Sequence, residues 1–438
     1  MPETAIRPRD RDALLGALRA GVVPRSGLQH VQVGRAREVA EVVRDIERIR
    51  DGGASVRLVI GDYGSGKSFF LSMARAVAMQ GGLVCMSADL SPDRRLHASS
   101  GQAKALAADL VRSMSTRSRP DGGALRSVVE RFLSEDATAR LRALREAPRG
   151  HELAAAVERF ARASEEGSEA DEEISLRWLR AEWATRTEAR EAMGVRGIVD
   201  DSDLLDHIEG LALLCRLAGY GGLLVCVDEC VNLCRLQSQQ ARSANYEQIL
   251  RIINTSLGGG VGGIGWIFGG TPEFLADPRR GLWSYEALRS RLSENTFARE
   301  GLVDLGGPVI RLPSLTPEEF WVLLTRLRDL YPTLDVPDDA LHGFMERAAA
   351  RLGDAAFRTP RLVIKSFLDM LAILESNPGT QWSSLVERAQ LLADAPPGVD
   401  APVHVENVTN HQEDGDGEGG KVGGHSVMDP HGLTFFRV

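Results

Sequence analysis

Apolar residues fall along this chain in two rhythms. Four short runs are almost continuously apolar, namely Val56-Arg57-Leu58-Val59-Ile60, Leu83-Val84-Cys85-Met86, Leu223-Leu224-Val225-Cys226-Val227 and Ile264-Gly265-Trp266-Ile267-Phe268. Their length and flanking glycines predict strands buried on both faces, as in a parallel sheet. Around them apolar positions recur every three or four residues, the period of an amphipathic helix. Within residues 8–20, Leu14, Leu15 and Leu18 share one face before Gly21 stops the pattern. Val31-Gln32-Val33 predicts a further short strand, running into a helix whose inner positions are Val39, Val42, Val43, Ile46 and Ile49. Strands alternating with helices predict an α/β fold, a parallel sheet with helices on both faces.

From about residue 98 to 220 the strand rhythm disappears. Leu106, Leu110 and Met114, then Leu125, Val128, Val129 and Phe132, then Leu141 and Leu144, repeat at helical spacing. Trp178, Leu179 and Trp183 continue it, and Ile208, Leu211, Leu213 and Leu214 form the last helix before the next strand. Pro148-Arg149-Gly150 and the acidic run from Ser164 to Glu173 predict loops. Connections in α/β units usually take about 2–6 residues around one helix. A stretch this long therefore predicts an all-helical insertion. After Val309-Ile310-Arg311-Leu312-Pro313 a smaller helical unit begins, with Thr316 as N-cap, Pro317 at the first helical position and Glu319 completing a capping box. Two more helices, around 338–352 and 360–375, make it a lid. The predicted division is an N-terminal helical segment 1–30, a core 31–312 carrying the insertion, a lid 313–394 and a tail 395–438. The tail is rich in Gly, Pro and acids, notably Glu413 to Gly420, and predicts disorder; its end, Leu433 to Val438, is apolar and suits docking.

The chemistry is concentrated directly after the first apolar run. Gly61-Asp62-Tyr63-Gly64-Ser65-Gly66-Lys67-Ser68 fits G-x-x-x-x-G-K-[ST] at every fixed position, with a strand before it and a helix carrying Phe69, Phe70, Leu71 and Met73 after it. Gly61, Gly64 and Gly66 are expected to allow backbone angles closed to other residues, so that N–H groups wrap a polyphosphate at a helix N-terminus. Lys67 is expected to meet the outer phosphates and Ser68 to offer its hydroxyl to Mg²⁺. The third run ends in Asp228-Glu229, the second half of such a site. Asp228 would hold Mg²⁺ through water, and Glu229 would orient or deprotonate the water that attacks the γ-phosphate. Asp89, closing the second run, suits either ordering the metal or water, or capping a turn.

Composition narrows the class. With 438 residues, 43% of them hydrophobic, the chain can form two or three domains. A net charge of -9 argues against a surface built throughout to neutralise phosphates, while leaving room for one basic groove. No apolar run reaches membrane-span length and the N-terminus lacks a secretory segment, so a soluble cytoplasmic protein is expected. Five cysteines, with Cys226, Cys230 and Cys234 in one stretch, match no disulfide framework or paired metal hooks and are expected to be small buried hydrophobes.

The Val33-Gly34-Arg35 turn followed by Glu38 resembles the segment before the phosphate loop in AAA+ ATPases, which packs beside the adenine. That resemblance implies nucleotide contacts at Gly34 and Arg35. It implies further that Thr271, after the fourth run, is the sensor touching the γ-phosphate or its water; a cap on the next helix is the alternative, and the two are compatible. Arg361, with Arg358 as fallback, matches the lid arginine that touches nucleotide. Among Arg279, Arg280, Arg289 and Arg291 lies the place of a finger reaching a neighbouring copy, Arg291 being the candidate and a solvated helix face the alternative. Taken together, V-G-R-x-x-E, G-D-Y-G-S-G-K-S-F, the insertion, V-D-E, G-G-T-P-E-F and R-T-P-R resemble the BrxD-like ATP-binding proteins of BREX phage-exclusion systems, themselves similar to origin-recognition-type AAA+ ATPases, over roughly residues 25–390. The resemblance implies ATP and Mg²⁺ as cofactors, an ATPase whose turnover depends on a partner or DNA, and other phage-defence proteins as partners, a helicase-like one among them. DNA would be met directly or through them, and a homo-oligomer follows if an arginine reaches across copies. The alternative is a nucleotide-gated scaffold with little turnover.

Overall fold

The computed structural model describes residues 6–388 apart from Arg25, Arg149, Arg196, Glu294, residues 299–303 and residues 353–359. The predicted tail and Arg358 therefore lie outside the described residues. At the centre are five strands, all parallel: β1 (Ala54–Ile60), β2 (Val84–Asp89), β3 (Leu223–Asp228), β4 (Ile264–Gly270) and β5 (Val309–Arg311), in the order β2-β3-β4-β1-β5. The four apolar runs are four of these strands. β5 escaped the sequence because three residues show no period; what makes it a strand is its partner, β1, with Leu58 to Ile60 opposite Val309 to Arg311.

Alternation along each strand sorts side chains to two faces. Val56, Leu58 and Ile60 of β1, Val84 and Met86 of β2, and Val225 and Val227 of β3 share one core with the helices of residues 102–217 and with the helix Gln239–Leu257. Val59, Cys85, Leu224, Cys226 and Ile267 face the other way, onto the helices Ala36–Arg50 and Lys67–Gln80. The long helical stretch thus shares one core with the sheet. All five cysteines are buried and free, as expected.

Two local expectations are corrected. Val31-Gln32-Val33 is no strand: Leu28–Val31 is a helical turn, and residues 32–35 link it to the helix Ala36–Arg50. Its polar groups are taken elsewhere, since Arg326 donates to the Gln32 carbonyl, and Val31 packs into the C-terminal helices instead of the sheet. The acidic run 164–173 is mostly helix, interrupted only at Gly167 and Ser168. Ser168 caps the helix Glu169–Leu179 by accepting from the Asp171 N–H, and the acids of its first turn complement the helix dipole. Gly150, also expected in a loop, begins the helix Gly150–Glu166.

The C-terminal helices start as expected, with the Thr316–Glu319 capping box and Pro317 opening the helix Pro317–Asp329. Phe320, Leu324, Phe344, Phe367 and Leu371 form their own apolar cluster. Leu14 and Leu15 of the helix Pro8–Arg19 complete it, and Arg19 pairs with Asp369 at 3.1 Å. Phe69, from the helix after the glycine loop, packs against the same cluster. Among the described residues no helix is long and apolar enough to cross a membrane.

Within the helical stretch, His207 is fully enclosed, donating through Nε2 to the Leu179 carbonyl at 2.9 Å with Trp178 edge-on to its ring. Burial pushes its pKa down to about 4 from the ordinary 6.5. A depressed histidine favours the fold above its unfolded pKa, and that stability is lost as pH falls through the window from 6.5 to 4. Relative to His207→Gln, the wild type should lose about 3 kcal/mol more between pH 7 and pH 4. Urea denaturation across that range checks it; parallel curves would show that His207 protonates as easily folded as unfolded.

Candidate functional site

The carboxyl ends of β1, β3 and β4 meet at the glycine loop. Gly64 and Gly66 lie at φ 75° and 91°, in the left-handed region. Gly61 does not, which corrects one expectation; its lack of a side chain is needed because a Cβ there would lie 2.5 Å from Ser65 Oγ. The Gly61 N–H donates to the Gly270 carbonyl at 3.1 Å, fixing the loop to β4. The loop ends in the helix Lys67–Gln80, whose N-cap is Gly66. Lys67 Nζ folds back onto the Gly61 and Asp62 carbonyls, at 2.9 and 2.7 Å. Burial lowers its pKa, opposed by Asp228, Glu229 and Asp62.

Asp228 lies at the end of β3, and β4 stands between it and the loop's strand. It nevertheless reaches the loop helix, where Ser68 Oγ donates to Asp228 Oδ2 at 2.6 Å. The carboxylate crosses β4 at Gly269, where any Cβ would collide with Asp228 Oδ1. Gly269 is therefore a site residue that sequence reasoning passed over; the Gly269-Gly270 pair inside an apolar strand was the available signal. Glu229 follows in the left-handed region, at φ 55°, its N–H donating to Asp228 Oδ1 at 2.8 Å. Burial, then Asp228 and Asp89, raise its pKa, while Lys67 and Arg235 oppose the rise. Asp89 sits directly opposite Asp228 in the β2–β3 register, and burial and Asp228 raise its pKa too.

The outer residues divide. Arg35, half-buried and left-handed at φ 63°, donates to the Ser65 carbonyl at 3.5 Å. Gly34 beside it leaves room for Glu319, whose carboxylate oxygen would lie 2.5 Å from a Cβ there. Arg361, exposed in the first turn of the helix Pro360–Ser376, runs beside Gly21 and is near enough to Lys67 to act on it electrostatically. Thr271 is 4% exposed and its hydroxyl caps the helix Pro272–Ala276 by accepting from the Phe274 N–H at 3.3 Å. Arg291 is held within its own chain, donating to Asn254 Oδ1 at 3.0 Å and the Ala287 carbonyl at 2.8 Å. Arg280 donates to the Leu236 carbonyl at 3.3 Å, while Arg279 and Arg289 are exposed. Arg235, unremarked in the sequence, donates to the Tyr63 hydroxyl of the loop at 2.6 Å. No spacing rule flags an arginine at that place.

These groups suit a phosphate chain. Ser65 Oγ is buried without a hydrogen-bond partner, and Gly66 has open space where a Cβ would point. Among the described residues no three His, Cys, Asp or Glu side chains are arranged to hold a metal ion. A cation here would rest on Ser68 and Asp228 with the remaining oxygens from phosphate and water, the usual composition of a Mg²⁺ shell at a nucleotide.

An all-parallel α/β sheet with a glycine loop on one strand and an acidic pair two strands away is consistent with a P-loop NTPase-like protein. The chain belongs to the family described as BREX system ATP-binding protein BrxC/D, whose model matches residues 6–139 and 134–390. A search of curated proteins finds no match.

Gly269→Ala should fold, because it adds one methyl group, yet push Asp228 off Ser68. The expected cost is about 1–3 kcal/mol in urea denaturation. Unchanged stability, together with unchanged Mg²⁺ dependence of nucleotide binding, would show that the carboxylate does not need this passage.

Proposed function

We propose that this chain binds ATP with Mg²⁺ on the loop Gly61 to Ser68 and hydrolyses it, as an AAA+-like ATPase serving a BREX defence system. The observation that carries the reading is the Ser68–Asp228 hydrogen bond, because it joins the loop and the acidic pair into one site. Loop N–H groups and the helix N-terminus would receive the phosphates, with Lys67 leaving its two carbonyls for the β- and γ-oxygens. Mg²⁺, held through Ser68 and Asp228, would neutralise charge on those oxygens. Glu229 then accepts a proton from water as the water oxygen bonds to the γ-phosphorus. The bond from that phosphorus to the bridging oxygen breaks, its electron pair leaving with ADP.

Gly34 and Arg35, beside the loop at Ser65, would meet the nucleotide's base end; Phe69 joins the loop helix to the C-terminal helices, and Arg361 would add a lid charge near Lys67. Nucleotide state would thus be read as lid position, and through the lid by partner BREX proteins or by DNA. Thr271 as sensor requires its hydroxyl to donate outward while it accepts as a cap, which one hydroxyl can do. A finger role for Arg291 toward a second copy requires it to give up Asn254; Arg279 and Arg289 are freer candidates.

Lys67→Ala should weaken ATP binding about 10- to 100-fold, the worth of a charge-assisted hydrogen bond. Glu229→Gln should bind ATP like the parent and lose about 10²-fold or more in turnover, since an amide cannot accept the proton. Titration with a fluorescent ATP analogue and phosphate release, each with and without DNA, measure the two. Unaltered binding by the lysine variant would remove the loop from the site; unaltered turnover by the glutamine variant would move the base elsewhere, Asp89 being next.

A further inference from the structure

Lys67, Glu229 and Arg235 form no ion pair among the described residues, although all three border the loop. The arginine is the least explained of them. It follows the short helix Val231–Cys234 that leads away from the acidic pair, is exposed, and is near enough to Glu229 to act on it electrostatically. Its guanidinium donates to the Tyr63 hydroxyl at 2.6 Å and stands 5.9 Å from the centre of that ring, while Lys67 Nζ stands 5.5 Å from the same centre. Tyr63, 36% exposed, is therefore a neutral aromatic group shared by two cations at the mouth of the loop.

We infer that Arg235 is a catalytic residue of this site, an in-chain arginine parked on Tyr63 that bonds the terminal phosphoryl group of ATP as it passes to water. The inference rests on the hydrolytic reading above and names one further part of it. Against Tyr63 only the donor is charged; on phosphate oxygens both partners are, and the fork can make two bonds instead of one. Transfer from Tyr63 to phosphate is thus downhill, and an exposed side chain makes it without disturbing the core. Of the other arginines around the site, Arg35 is committed to the Ser65 carbonyl and Arg280 to the Leu236 carbonyl, while Arg361 comes from the C-terminal helices and acts on Lys67. In the step itself Arg235 neither gives nor takes a proton. It bonds the oxygens on which charge gathers while water adds, the bridging bond breaks toward ADP and the water proton goes to Glu229.

The test uses the full chain, with ATP and with ADP plus aluminium fluoride as a mimic of the transferring group. Arg235→Ala should bind ATP within about threefold of the parent, lose about a hundredfold or more in kcat, and no longer prefer ADP with aluminium fluoride to ADP alone. Arg235→Lys should recover only part, since a point charge lacks the fork. Tyr63→Phe, which removes the phenol and leaves the guanidinium, should cost kcat much less than Arg235→Ala; a loss as large as in Arg235→Ala would show that the phenol–guanidinium bond is the working arrangement and overturn the assignment. Mixing Arg235→Ala with Glu229→Gln protein should give no rescue, because both groups must come from one chain; rescue would place the arginine across a subunit boundary and overturn it as well. A parent protein that neither turns over ATP nor prefers aluminium fluoride fails at the hydrolytic reading itself. A parent that does both, with Arg235→Ala unaffected, fails at the arginine alone.

Discussion

A single hydrogen bond, Ser68 Oγ to Asp228 Oδ2, sets the terms for the rest of this structure. The two residues belong to segments that the sheet separates by a whole strand, so the carboxylate must pass over β4 to reach the loop helix. That passage exists only because residue 269 carries no side chain. The next residue answers a second demand of the same kind, since its carbonyl holds the Gly61 N–H and a Cβ on it would strike Phe274. A buried carboxylate is costly unless its lone pairs are used. At 8% exposure Asp228 uses them on Ser68 and on the Glu229 N–H. The glycines of β4 and the loop thus serve one geometric requirement from two directions.

Backbone strain gathers at the same place. Four described residues other than glycine lie at positive φ, and two of them, Arg35 and Glu229, flank the loop. Such a conformation costs roughly 1–3 kcal/mol and survives only where neighbours over-determine it. Around Glu229 they do: its own N–H is held by Asp228, the Cys230 N–H by the Gly269 carbonyl at 3.0 Å, and the Leu90 N–H by the Asp228 carbonyl at 3.0 Å. Arg35 is braced between the Ser65 carbonyl and the charge of Glu319. Glu319 also caps its own helix, so one carboxylate links the C-terminal helices to the segment that touches the loop. Arg326 on Gln32 and Phe69 against the C-terminal cluster are further ties of the same kind. A shift in the loop backbone therefore has short physical routes into the C-terminal helices.

How much of this was legible in the sequence depended on whether a feature is local. Buried strands announce themselves as apolar runs, and the loop glycines, capping box and Asp-Glu pair are local patterns whose residues do the work where they stand. β5 is three residues made a strand by β1 alone, and the Val31 segment reads as a strand until the helices that claim its polar groups are in place. The acidic run 164–173 shows that charge density by itself does not distinguish a loop from a well-capped helix. The N-terminal helix could be seen, but not that it completes the core of the C-terminal helices from the other end of the chain. Gly269 and Arg235 were missed for one reason: each matters through a residue far away in sequence, Asp228 and Tyr63, and no spacing encodes that.

Charge placement bears on how the proposed site would take its substrate. Asp89, Asp228 and Glu229 stand together at the ends of β2 and β3; beyond the effect of burial, Asp228 raises the pKa of both others and Asp89 that of Glu229. A triphosphate laid along the loop would bring further negative charge against them, and like charges 4 Å apart repel by about 4 kcal/mol at an effective dielectric of 20. Lys67 offsets part of this, although burial already makes its own charge harder to hold. Arg361, on the helix Pro360–Ser376, and Arg235, on Tyr63, stand outside the acidic cluster. On the proposed function, a divalent ion between Ser68, Asp228 and the phosphates is what reconciles the acids with their substrate. The arginines are then left to answer the charge that appears only as the phosphoryl group moves. Binding and turnover would accordingly depend on different cations, the first on Lys67 and the metal, the second on Arg235.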